Sequence, residues 1–166
     1  MIIGIMSDTH ANHARTAKAA SLLKSAGIAH LLHCGDVGAE SILFDLIEAF
    51  SPAPITAVAG NVDLYDEAIL NFPSESGATL HPRLAELTLA GKSIAILHGD
   101  DAHALDRATL TDTYDYVFTG HTHVAKDETI GKTRVINPGA VHRSASPSVA
   151  TLDLETGRLT PIFLTD

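Results

Sequence analysis

One α/β domain with two packed sheets, spanning residues 1–166, is the fold that this sequence predicts. Three observations predict it. The first half alternates short apolar runs with helical periodicity, the second half is richer in strand-like runs, and no linker, repeat or low-complexity tract divides them. Polar clusters, most of them glycine-containing, interrupt the chain where the apolar runs stop.

Ile2 to Met6 is an apolar run that meets Ser7-Asp8 at once, as a buried strand does. It is too short for a signal peptide and has no basic flank. Ala14 to Ala26 places Ala17, Ala20 and Leu23–Lys24 on one helical face, and Gly27 supplies a stop. His30 to Cys34 reads as the second strand. Ala39 to Phe50 reads as a helix whose stripe is Leu43, Leu46, Ile47 and Phe50. Ser51-Pro-Ala-Pro54 breaks it, and Ile55 to Ala59 forms a third strand. This βαβαβ order predicts a mostly parallel sheet with ligands at the carboxyl ends of its strands.

Residues 65–82 combine weak periodicity with several turn formers and read as a surface loop with room for one short helix. Leu84–Leu89 and Ser93–Leu97 flank Ala90-Gly-Lys92, a hairpin signal. Asp101 to Leu110 reads as helix and Tyr116 to Thr119 as strand. Extended runs follow around Ile130, at Arg134–Ile136, at Val149–Leu154 and at Leu159–Leu164.

Composition narrows the function. Hydrophobic content of 45% against 19% charged excludes a disordered chain. A net charge of −9, 5% aromatic residues and no Trp argue against a nucleic-acid polymer as partner. The lone cysteine, Cys34, has no internal partner, which suits the cytoplasm. No run approaches the ~18 apolar residues of a membrane span, so no membrane is expected. A homo-oligomer stays open.

Chemistry is carried by the clusters Ser7-Asp-Thr-His10, Gly35-Asp36, Gly60-Asn61-Val-Asp63, His98-Gly99, Gly120-His-Thr-His123 and Asn137-Pro-Gly139. Each sits where a strand stops. In an extended segment the i and i+2 side chains of Asp8-x-His10 or His121-x-His123 share one face, so each pair is expected to reach one ion. Carboxylate, imidazole and amide together suit Mn²⁺, Fe, Zn²⁺ or Ni²⁺. Taken singly, each cluster is as well read as a cap or turn; their order along the chain gives them weight.

That order, Asp-x-His, Gly-Asp, Gly-Asn-x-Asp, His-Gly, Gly-His-x-His, resembles the calcineurin-like metallophosphoesterases, and among them the small bacterial and archaeal phosphodiesterases. The resemblance spans Asp8 to Gly139 and implies a four-layer α/β/β/α sandwich with two mixed sheets. It implies a small phosphoester substrate and two divalent ions, Mn²⁺ first among the candidates. One ion would take Asp8, His10, Asp36 and His123; the other would take Asp36, Asn61, His98 and His121. It further implies a phosphodiesterase in which a metal-bridging hydroxide attacks phosphorus in line, with Asp36, Asn61 and His98 in catalytic roles. Two ions about 3.5–4 Å apart lower the pKa of a shared water and align the ester.

The pattern departs from that family at three places. Many members carry a His after Gly-Asn, as a leaving-group acid; here it is Val62, which has no proton to give, so aryl diesters are the expected substrates. Asp100, where the subfamily often has His, is expected with Asp101 to make the rim more negative. Ala140 replaces a common Ser, and Arg143 follows as a candidate phosphate contact. Asn12 and Asp63 are candidates to support the ligands from behind, as is His13 beside Asn12. His30, His33, His81 and His103 are assigned structural roles, and Cys34 that of a small buried strand residue. The rival reading is a non-catalytic scaffold on the same fold, as in the retromer subunit that resembles these enzymes. A thioesterase-type hydrolase would bring His-x-His-x-Asp-His, which is absent.

Overall fold

The structure is a computed structural model that describes residues 1–73 and 76–165. The chain runs through β1 (Ile2–Met6), α1 (His13–Ser25), β2 (His30–His33), α2 (Glu40–Phe50), β3 (Ile55–Val58), α3 (Glu67–Leu70) and β4 (Ala78–His81). It continues through β5 (Leu84–Leu89), β6 (Lys92–Leu97), α4 (Ala102–Leu110), β7 (Tyr116–Phe118) and β8 (Lys126–Ile130). β9 (Thr133–Asn137), β10 (Ser148–Asp153) and β11 (Arg158–Phe163) complete it.

The first sheet has the order β11-β10-β1-β2-β3-β4 and the second β5-β6-β7-β9-β8. Strands β1 to β4 are mutually parallel, with Ile3 opposite His30 and Leu31 opposite Ile55; β10 and β11 join antiparallel. In the second sheet β6, β7 and β9 are parallel, while β5 and β8 pair antiparallel at its edges. Both sheets are therefore mixed.

Alternation along the strands decides which layer each side chain enters. Ile3 and Ile5 of β1, Leu32 of β2 and Val58 of β3 meet Ile94, Ile96 and Phe118 of the second sheet in a shared core. The intervening Met6, Leu31, Ile55 and Ala57 face outward onto Leu23 of α1, Leu46 and Phe50 of α2 and Ile69 of α3. On the far side Leu97, Val117 and Val135 pack under Ala108 of α4. The layers are α/β/β/α, as the resemblance implies.

One expectation fails. The stretch read as a surface loop carries α3 and the edge strand β4, which pairs with β3 from Ile55↔Ala78 to Val58↔His81. Ser74 and Glu75, within that stretch, lie outside the described residues. Ala78-Thr-Leu-His81 mixes polar and apolar residues and lacks the apolar run of the equally short β3, so the free backbone groups along the edge of β3 select the pairing. His81 accordingly ends a strand instead of lying in an irregular stretch. Among the described residues no helix is long and apolar enough to cross a membrane.

Phe118 is fully buried between the sheets, stacked 6.0 Å from Tyr116. Phe118→Ala is expected to cost about 3–5 kcal/mol in urea unfolding monitored by circular dichroism. A loss below about 1 kcal/mol would contradict this account of the inter-sheet core.

Candidate metal centre

The loops after β1 and β2 are zipped together before any side chain is considered. Asp8, His10 and Ala11 donate backbone N–H bonds to the carbonyls of Gly35, Asp36 and Val37, each at 3.0 Å. To follow that path Asp8, His10 and Asp36 take positive φ values of 57°, 45° and 54°. His121 and His123, after β7, do the same at 65° and 59°. Both pairs thus sit in the turn after a strand, in left-handed backbone, an arrangement costly for non-glycine residues and concentrated at functional sites. Gly60 and Gly120 allow the close approach: a Cβ at Gly60 would overlap the Asp36 carboxylate, and one at Gly120 would overlap Ser7 and Asp8.

Ligand-competent atoms converge at this edge. Asp8, His10 and His123 form one group, and Asp8, Asp36 and His98 another, with the atoms of each group within 4.8 Å of one another. His123 Nε2 lies 3.2 Å from Asp8 Oδ1 and 3.3 Å from His10 Nε2. His10 Nε2 is also 3.7 Å from Asp36 Oδ2, and His98 Nε2 is 3.3 Å from Asp36 Oδ1. His121 stands edge-on to His98, with ring centroids 5.1 Å apart. The two His-x-His imidazoles therefore diverge, one toward His98 and the other toward Asp8 and His10, because the turn twists between them. Asn61 is exposed, on the turn between Gly60 and Val62.

The hydrogen bonds orient these rings. His98 Nδ1 donates to the Cys34 carbonyl at 2.8 Å, which leaves a lone pair on Nε2 in the neutral ring. His123 Nδ1 donates to the Arg143 carbonyl at 3.0 Å with the same result. Both Asp8 oxygens and His98 Nε2 are buried with no hydrogen-bond partner. Buried acceptors facing other acceptors are costly, and a cation between them removes that cost. The donor set therefore fits divalent metal.

Several supporting residues differ from their sequence reading. Asp63 is fully buried and accepts N–H bonds from Val37, Gly38 and Gly60, tying the β2 and β3 loops together. His33, assigned only a structural role, is also fully buried and accepts from Gly35 N–H. Its Nε2 then donates to Thr9 Oγ1 at 3.0 Å, and Thr9 donates to Val37. Asn137 holds the His-x-His turn through Gly120 O and Thr122 Oγ1. Thr9 and Asn137 stand within the polar clusters themselves, whereas the sequence signal for His33 is its nearness to Gly35-Asp36. Asn12 caps α1 through Arg15 N–H and contacts His142 at 3.2 Å. His13 turns away to Asp45. Arg143 is exposed and serves His123 through its backbone. The acidic rim is corrected: Arg83 pairs with Asp100 at 2.8 Å, and Asp101 caps α4.

Electrostatics follow from burial and pairing. Burial pushes the Asp8 carboxyl up and the His10 imidazole down. Asp36 is also opposed by burial, yet the adjacent His98 imidazole, 3.3 Å away, holds it below the usual carboxylate range. His98 is raised in return, its burial outweighed by Asp36. Burial drives the Cys34 thiol far up, so it is inert; its carbonyl is what the site uses.

A sequence profile of the calcineurin-like phosphoesterase superfamily domain matches residues 1–157. The chain belongs to this superfamily. It is similar to the phosphodiesterase MJ0936 of Methanocaldococcus jannaschii, with 28% identity over 99% of each chain. Its fold superposes on a solved archaeal phosphodiesterase with a TM-score of 0.89, at 27% identity over 99% and 100% of the two chains. Vps29 of Entamoeba histolytica, solved in complex with Zn²⁺, gives 0.65 at 17% identity over 99% and 98%, a likeness of fold alone. As a calcineurin-like phosphoesterase the protein is a phosphoric ester hydrolase, and the family implies divalent metal ions at its candidate ligand groups.

Two predictions follow from how this phosphoesterase supports its site. Asp63→Ala strands three backbone donors and is expected to cost about 3 kcal/mol in denaturant unfolding. A variant as stable as the parent would show that the clamp is dispensable. Burial holds the His33 pKa at about 3, below the unfolded 6.5, so between those values the unfolded chain binds more protons. The His33 contribution is whole above pH 6.5 and is lost as pH falls toward 3, by about 1.4 kcal/mol per unit. The stability gap between parent and His33→Gln should shrink accordingly over that window in urea titrations; a pH-independent gap would refute the assignment.

Proposed function

We propose that this protein is a dinuclear metal-dependent phosphodiesterase acting on small diesters with good leaving groups. In this reading Asp8, His10, Asp36 and His123 hold one divalent ion. Asp36, Asn61, His98 and His121 hold the second, with Asp36 shared. The observation that carries it is the set of buried, unpartnered acceptors, Asp8 Oδ1, Asp8 Oδ2 and His98 Nε2. Mixed imidazole, carboxylate and amide donors suit Mn²⁺, Ni²⁺, Zn²⁺ or Fe, and the family resemblance puts Mn²⁺ first.

When bound, such ions supply Lewis acidity toward phosphoryl oxygens and make water acidic enough to attack phosphorus near neutral pH. The chain's own residues set the rest. Asp8 and Asp36 are the carboxylates of the converged groups, so two divalent cations leave the site net positive and able to hold a phosphate despite the net charge of −9. Asn61 adds an oxygen without adding charge. His98, fixed by the Cys34 carbonyl, keeps its lone pair aimed beside Asp36. The Val62 backbone N–H donates to Asp36 Oδ1 at 3.1 Å, but its side chain has no proton to offer. The departing oxygen must therefore leave as a stable anion, which favours aryl esters. The relative named a phosphodiesterase supports diesters over monoesters. The buried, unpaired Cys34 fits a cytoplasmic setting.

Chelator-treated protein reloaded with Mn²⁺, Ni²⁺, Zn²⁺ or Mg²⁺ and assayed on aryl diester, aryl monoester and cyclic nucleotide tests the reading. Two ions per chain and diester hydrolysis are expected, and Asp36→Asn should lose at least about 10²-fold. Two bound ions without hydrolysis would favour the scaffold role suggested by the Vps29 fold; no bound ion would sink the proposal. Val62→His should raise turnover of alkyl diesters by about 10²-fold while changing p-nitrophenyl esters little. No gain on alkyl leaving groups would count against the role given to Val62.

A further inference from the structure

A pocket of about 430 Å³ lies between α4 and the β5–β6 hairpin, and of the candidate ligands His98 borders it. His98 and Gly99 belong to its wall, so the turn that presents a cluster imidazole also bounds the pocket. Gly99 puts no side chain between the two. The volume is that of a small-molecule site.

Its lining selects a chemistry. Leu84, Leu97 and Ala104 make an apolar surface, and the small Ala104 is what leaves the space. Two guanidiniums, Arg83 and Arg107, flank that surface. Arg83 is already neutralised by Asp100 at 2.8 Å, so it is poorly placed to take a second phosphate. Its planar face can still cover an aromatic ring, as can that of Arg107. An aliphatic chain would use the apolar surface and neither guanidinium face.

We infer that this pocket receives the ester substituent that is retained, and that the substituent is a flat aromatic group the size of a phenyl ring or nucleobase. The inference rests on the phosphodiesterase reading above and sharpens it, because a monoester has no second substituent to place there. A positioned ring anchors the phosphorus over the cluster and leaves the expelled group to face Val62.

Bis(p-nitrophenyl) phosphate and methyl p-nitrophenyl phosphate expel the same phenolate and differ only in the retained group. Metal-loaded wild-type enzyme should prefer the bis-aryl ester by about tenfold in kcat/KM, chiefly through KM. Ala104→Trp, which fills the pocket, should bring that ratio to about one. Arg107→Ala, a surface change that leaves the core intact, should lower it about threefold. A wild-type ratio near one, or a ratio untouched in both folded variants, overturns the subsite while leaving the phosphodiesterase standing. Hydrolysis of neither ester by the metal-loaded wild type overturns the phosphodiesterase reading and the subsite with it.

Discussion

Asp8 and Asp36 place two carboxylates side by side at the edge of two sheets, both nearly inaccessible to water. Burying like charges together is unfavourable, and the imidazoles around them offer lone pairs in the same direction. The neighbourhood is organised to keep this arrangement in place. Backbone hydrogen bonds zip the β1 loop to the β2 loop, Asp63 clamps the β2 loop to the β3 loop, and the His33–Thr9 relay braces both. Left-handed backbone at five of the ligand candidates adds strain that those bonds offset. Bound cations turn the whole assembly from a cost into a source of stability.

The sandwich explains why the site lies at this edge. Parallel β1, β2 and β3 in one sheet and parallel β6, β7 and β9 in the other bring their carboxyl ends together. Loops after those strands then face one another across the inter-sheet core, and those after β1, β2, β6 and β7 carry the converged Asp8, His10, Asp36, His98 and His123. The same geometry leaves the hairpin β5–β6 and α4 with a gap between them, beside the end of β6. Charge around the cluster is more balanced than the overall composition suggests, because Arg83 answers Asp100, while Asp101 keeps its charge at the N-terminus of α4.

Much was legible in the residues themselves. Apolar periodicity placed nearly every strand and helix within a residue or two, and the ordered polar clusters marked the candidate ligands and the superfamily. Strand β4 escaped because its four residues carry no pattern, and only the exposed edge of β3 makes them extended. The acidic rim was misjudged for a related reason, since Arg83 is seventeen residues from Asp100 in sequence and adjacent to it only after folding.

Residue types, their order and their attachment to strand ends are local properties, and the sequence by itself determined them: the fold class, the superfamily and the candidate donors. Only the tertiary structure decided where each donor points. His121 and His123 part company, His98 donates Nδ1 to the Cys34 carbonyl and so turns its Nε2 toward Asp36, and Asp63 spends its carboxylate on three backbone amides. These depend on left-handed turns and on partners that, Gly60 beside Asp63 excepted, lie twenty or more residues away, and no local periodicity encodes them. The metal site was readable as a list of ligands; its geometry had to be folded.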